Sequence, residues 1–180
     1  MVSRCKIIAG YKRIICAAGL AVLAFALFSG CTVKYSFSGA SISPLVKTLS
    51  IQYFQNRASL VQPGLSQYIT DALIDKCRAQ TSLSLINGVG DVNFEGEISD
   101  YNTRPLTTAA DARAATNRFT ISVRVKFTNA VEPELSYEKT FSRYEDYDTN
   151  RDFDSVEKDL SDKIVNLLIE DIFNEAFVNW

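Results

Sequence analysis

Histidine is missing from all 180 residues, and its absence closes several chemistries at once. Without an imidazole the chain has no Ser/His/Asp triad, no Cys/His nucleophile pair and no HExxH zinc helix. Only paired carboxylates or a Ser/Lys pair remain as catalytic options. A disulfide framework is equally out of reach. Of the cysteines Cys5, Cys16, Cys31 and Cys77, the first three belong to the N-terminal segment. Cys77 is left alone at an apolar helical position, where a small buried thiol is expected. Acidic residues are lacking before residue 31, although Arg4, Lys6, Lys12 and Arg13 are there. Taking those four from the 19 basic residues leaves 15 against 21 acidic ones, so the remainder is acidic. That sign opposes non-specific nucleic-acid binding, which needs a positive field. No internal repeat or second domain is visible, and an apolar content of 47% is enough for one real core.

What is present begins with an address. Residues 1–13 are basic, and residues 14–28 form a continuous run of Ile, Leu, Val, Ala, Phe and small residues that ends at Ser29, Gly30 and Cys31. This is the order of parts in a signal peptide. The run is shorter than the roughly 20 residues that a permanent spanning helix needs, so residues 1–30 are expected to be cleaved. Ser29 and Gly30 directly before Cys31 resemble the lipobox of bacterial lipoproteins, with Phe28 where leucine is commonest. The resemblance implies cleavage between Gly30 and Cys31, with diacylglycerol on the sulphur and an acyl group on the new N-terminus. Two or more chains anchor stably at ~0.8 kcal/mol per buried methylene, whereas one does not. Residues 31–45, rich in Ser, Gly and Thr, read as the lipidated end and its tether. Thr32 stands where such lipoproteins carry Asp for inner-membrane retention, which favours the periplasmic leaflet of the outer membrane.

Residues 46–180 read as one folded domain. Residues 46–54 alternate, with Leu49, Ile51 and Tyr53 on one side and Thr48, Ser50 and Gln52 on the other, and predict a first strand. Pro63 and Gly64 open an amphipathic helix in which Leu65, Ile69, Ala72, Leu73 and Cys77 share a face. Residues 83–101 predict a second strand broken at Asn87-Gly88-Val89-Gly90, with Val92, Phe94, Gly96 and Ile98 inward. Phe119, Ile121, Val123, Val125 and Phe127 alternate strictly with Thr120, Ser122, Arg124 and Lys126, giving a third strand with one buried face. Leu135, Tyr137 and Phe141 mark a fourth. Asp154 and Ser155 cap a helix from Val156 to about Val178, with Glu157 placed as in a capping box. Its apolar stripe is wider than one contact surface requires. The order β-α-β-β-β-α predicts an α+β two-layer sandwich, a four-stranded, mainly antiparallel sheet with two helices on one face.

The stretches YSFSGASIS from Tyr35, KTLSIQYFQNRASLVQPGLSQYITDALIDK from Lys47, GDVNFEGEISDY from Gly90, ATNRFTISVRVKFTN from Ala115 and FSRYEDYD from Phe141 resemble the LptE family, in a divergent, compact branch. The resemblance implies a four-stranded sheet covered by two helices. It also implies a non-enzymatic lipoprotein that partners the LptD β-barrel, acting as plug and assembly factor, in delivering lipopolysaccharide to the cell surface. The rival readings are a periplasmic lipoprotein enzyme acting on cell-wall glycan, and a structural lipoprotein with another partner.

Arg124 and Lys126 lie side by side on the wet face of the third strand, where they fit either lipid A phosphates or a solvated face opposite Glu95 and Glu97. Glu95 and Glu97, adjacent on one strand face, do not flank a substrate as glycosidase carboxylates do. Residues 148–154 place acids at alternate steps as a calcium loop does, but Phe153 replaces its glycine and Asp159 its bidentate Glu. Helix entry is the better account, and no metal or other cofactor is expected. Gly88-Val89-Gly90 lacks the Lys-Ser/Thr of a phosphate loop and reads as a turn. Residues 103–118 form a connection of sixteen residues, far beyond the roughly two to five of a hairpin. This loop and the surplus apolar surface of the last helix are the segments expected to touch the barrel.

Overall fold

The computed structural model describes residues 42–60, 62–106 and 116–178. The signal peptide, Gly30 and Cys31 therefore lie outside the described residues. The elements run β1 (Thr48–Ile51), β2 (Gln55–Asn56), α1 (Leu65–Gln80), β3 (Ser84–Leu85), β4 (Val92–Leu106), β5 (Thr116–Asn129), a 3-10 turn (Pro133–Leu135), β6 (Tyr137–Asp148) and α2 (Phe153–Phe177).

The α+β class holds, but the sheet is mixed and has six strand segments. Its order is β3-β1-β4-β5-β6, with β2 alongside β4. β1 runs parallel to both β3 and β4, and β2 parallel to β4, while β4-β5-β6 is an antiparallel meander. The expectation of four mainly antiparallel strands failed because side-chain alternation is identical for either direction. What fixes the direction is the helix between β1 and β4, which makes the connection a crossover and returns the chain parallel. The interruption at residues 86–91 likewise divides the predicted second strand into β3 and β4.

Several local expectations shift with the backbone. Leu49 is buried as predicted, but the chain leaves β1 after Ile51 and the alternation changes phase, so Phe54 is buried and Tyr53 is 56% exposed. Gly64, at φ 83°, caps α1, and Pro63 stands just outside the helix rather than in its first turn. An irregularity between Ile98 and Asp100 leaves Ser99 as an extra residue and turns Tyr101 into the core. Pairing continues to Leu106 opposite Thr116, so the supposed sixteen-residue connection shortens to 107–115, outside the described residues. Leu135 belongs to the 3-10 turn, and β6 begins at Tyr137.

At α2 the predicted capping box is absent. Asp152 is the cap residue and makes no side-chain cap bond, while the Ser155 hydroxyl donates to the Asp152 carbonyl at 2.6 Å. Glu157 instead accepts the Tyr101 hydroxyl. Burial, and then that acceptor, push the Tyr101 phenol above its ordinary value. Asn150 N–H donates to Asp148 Oδ1 at 2.8 Å, and among the described residues no three acids, cysteines or histidines gather to hold a metal.

One hydrophobic cluster contains the inner face of the sheet and both helices, which places the helices in one layer. The wide stripe of α2 is consumed there, since this helix packs on β5, β6 and α1 together. Of its large apolar residues only Leu167 is exposed, with Val178 just past its end, so the surplus surface expected of this helix is absent. The edge strand β6 turns Lys139 and Arg143 toward α2. Lys139 meets Glu175 at 2.9 Å, and Arg143 forms a fork with Asp171 at 2.6 and 2.7 Å. Inward charges of this kind blunt an edge against strand pairing.

Asp91 ties the parallel strands at their start. Its Oδ2 accepts the N–H groups of Lys47 and Thr48 at 2.9 Å each, and its own N–H donates to Thr48 Oγ1 at 2.9 Å. The bond from Lys47, with those from Thr48, holds the Asp91 carboxyl below the usual carboxylate range. A folded pKa lower than the unfolded one stabilises the domain above the ordinary carboxylate pKa, and this is lost as pH falls through the folded value. Asp91→Asn is therefore expected to lower the urea midpoint at neutral pH and to narrow its deficit against wild type as pH drops below the carboxylate range. A pH-independent deficit would show that the charge is not the cause.

Candidate functional site

The face of the sheet opposite the helices carries the charged residues singled out in the sequence. Cross-strand register sets Glu95 opposite Lys126 and Glu97 opposite Arg124. Arg124 lies 3.2 Å from Glu97 and Lys126 lies 3.6 Å from Glu95. The two cations are thus brought together as predicted, and each already has a carboxylate partner. Next to Lys126 on the other side stands Glu138 of β6. The pairs are about half exposed, so each contributes only about 0–1 kcal/mol to stability. Their weight is in the field they set, which is not that of a basic patch.

This face carries an open depression beside the 86–91 loop. A hollow of about 710 Å³ is lined by Gln52, Tyr53, Gln55, Gly88, Val89, Asn93, Gly96 and the five charged residues. The loop 86–91 forms one wall, turning at Gly88, whose φ of 105° favours glycine. Beneath that wall runs a fixed polar chain. Ser50 Oγ receives the Gly90 N–H at 3.0 Å and donates to Asn93 Oδ1 at 2.6 Å. Gln52 Nε2 donates to the Gly88 carbonyl at 3.1 Å, and Asn93 Nδ2 donates to Glu95 Oε1 at 2.9 Å. Ser50 and Asn93 are buried although they belong to the outer face, because the loop covers them.

The same face carries a second cluster toward the free end of the ribbon. Arg118 grips Asp146 with two bonds of 2.8 and 2.9 Å and lies 3.5 Å over the Tyr144 ring. These groups satisfy one another. Cys77, on the opposite side, is fully buried, and burial pushes its thiol up to about 12, as expected of an inert core sulphur.

Sequence reasoning missed Tyr53, Gln52, Gln55, Val89 and Glu138. Alternation puts Tyr53 on the same side as the buried Leu49, and the signal against that phase is the neighbouring Phe54, which takes the place in the core. The others come together only through non-local pairing.

The family model described as LptE, lipopolysaccharide-assembly, matches residues 46–176. No curated protein matches the chain significantly. Among solved structures, the chain is similar to the hypothetical protein CT253 of Chlamydia trachomatis, at 8% identity and TM-score 0.50, covering 73% of this chain and 98% of that one. It is also similar to a minor lipoprotein of Acinetobacter baumannii, at 14% identity and TM-score 0.48, covering 72% and 91%. At 8% identity the Chlamydia structure speaks for the fold alone. The family match spans well over half of the chain, and the protein belongs to the LptE family of lipopolysaccharide-assembly proteins.

Proposed function

We propose that the protein is a non-enzymatic outer-membrane lipoprotein. It is held on the periplasmic leaflet by a triacylated Cys31 and partners an LptD-type β-barrel as plug and assembly factor. The observation that carries this reading is the family match across residues 46–176. In this reading the open sheet face around Arg124 and Lys126 is where lipopolysaccharide touches the domain. No helix among the described residues is long and apolar enough to cross a membrane, and the proposal assigns attachment to lipid. The rival enzyme reading gains nothing from the site, since Glu95 and Glu97 are each engaged by a cation on the neighbouring strand.

The test uses the full chain with a C-terminal tag, expressed in its native membrane. Palmitate label is expected on the wild type and absent from Cys31→Ala, and one large barrel is expected to accompany the wild type through affinity purification. An unlabelled wild type would overturn the anchor. A labelled wild type with no barrel would overturn the partnership and leave a structural lipoprotein of another kind.

A further inference from the structure

The hollow on the open face holds three carboxylates, Glu95, Glu97 and Glu138, against two cations, Arg124 and Lys126. An incoming phosphate would have to displace a carboxylate from each cation and then sit beside the third acid. Like charges a few ångströms apart repel at a protein surface, where screening is weaker than in bulk water, so the field disfavours anions. The rest of the lining has another chemistry. Tyr53 is 56% exposed and Val89 80% exposed, giving an aromatic face and an apolar rim. Gln52 is pinned by the Gly88 carbonyl, which leaves its Oε1 open. Gln55 accepts from Arg57 at 3.1 Å, which leaves its Nε2 open. Planar amides held in place, alternating acids and bases, and one exposed ring are the groups that read sugar hydroxyls and the C–H face of a pyranose. Each amide already has one neighbour that orients it, which lowers the ordering cost of binding, and the open depression of about 710 Å³ has room for a sugar unit.

We infer that this hollow is a saccharide-binding site that takes uncharged hexose units of an oligosaccharide, with Tyr53 as stacking platform, and not a phosphate site. The inference rests on the proposed lipopolysaccharide contact only for the source of the sugar. Lipopolysaccharide and the cell-wall glycan both offer such units.

The experiment titrates the purified full-length chain, isotope-labelled for NMR, with three probes. They are a dephosphorylated hexose oligosaccharide released from lipopolysaccharide, an N-acetylglucosamine tetramer, and inorganic phosphate. Saccharide binding with shifts at Tyr53 and Gln55 is expected, weakened about tenfold in Tyr53→Ala and retained in Tyr53→Phe. Phosphate is expected to leave the wild type unchanged and to bind only Glu95→Gln/Glu97→Gln, in which the cations are unmasked. Phosphate binding to wild type at Arg124 and Lys126, or saccharide binding indifferent to Tyr53→Ala, would overturn the inference, as would no saccharide binding at all. Preference for the tetramer would uphold the saccharide site while overturning lipopolysaccharide as its source.

Discussion

Phe94→Ala is expected to cost about 3–5 kcal/mol, the range for removing a buried phenylalanine. The ring is 0% exposed and stands at the junction of three elements. Its centroid lies 4.9 Å from that of Phe127 on β5 and 5.9 Å from that of Phe177 in the last turn of α2. Phe127 and Phe177 also meet each other, at 5.9 Å, so the three rings close a triangle that clamps the end of α2 to the sheet. Removing one member leaves a cavity that the other two cannot fill, because strand register fixes Phe127 and the helix fixes Phe177. Against a typical domain stability of about 5–15 kcal/mol, the loss is a large fraction. The urea midpoint measures it, with Leu167→Ala as control. Leu167 is 41% exposed, and its truncation is expected to cost under about 1 kcal/mol. A Phe94→Ala loss no larger than that of the control would mean that the three rings are not packed as described. The strand position adds a local readout. Asn93 and Glu95, on either side of Phe94, belong to the polar floor of the hollow, so a loosened Phe94 should also broaden resonances there.

How far the sequence announces this arrangement varies with how local the cause is. β5 is legible at sight, since Phe119 to Phe127 alternate with polar residues and every inward member is 1% exposed or less. The pairing of Arg124 and Lys126 with Glu97 and Glu95 was open to inference, because adjacent strands of opposite charge pattern seek that register. The lateral order was not. β1 and β4 look like neighbours in any scheme, and only the crossover through α1 makes them parallel. The bulge at Ser99 was hidden because Asp100 and Tyr101 satisfy either phase until the partner strand is known. Glu157 carried a capping signal by position, and a tertiary acceptor role for the buried Tyr101 hydroxyl took precedence. The hollow was the least visible feature, because its wall is a loop folded back over a face that the alternation marks as open to water. Each of these misses is a non-local contact overriding a local pattern.

Gly96→Val is expected to destabilise the domain by about 1–3 kcal/mol, the usual cost of overpacking a filled core. Gly96 sits on the inward face of β4 between Phe94 and Ile98, where alternation calls for a large apolar residue. The space is already taken. A Cβ at Gly96 would collide with three carbons of the Phe54 ring, and Phe54 is 0% exposed. The fully buried ring has packed neighbours on every side and its backbone N–H donates to Thr70 Oγ1 of α1 at 3.2 Å, so relieving the clash moves the β1–β2 segment. Replacing glycine also stiffens the unfolded chain, worth about 0.4–1 kcal/mol in favour of folding, and the steric term outweighs it. Phe54→Ala alone should cost about 3–5 kcal/mol. The double variant Gly96→Val/Phe54→Ala should then cost less than the sum of the two, because valine occupies part of the space the ring vacates and neighbouring sites couple by about 0.5–3 kcal/mol. Thermal melts of the four proteins settle the matter, and strict additivity would show that Phe54 does not lie over Gly96. The segment displaced by the valine, residues 52–56, also carries Gln52, Tyr53 and Gln55. The single variant should therefore weaken saccharide binding in the hollow more than its loss of stability predicts, since an inward clash at Gly96 is relieved by moving the residues that form the outer rim.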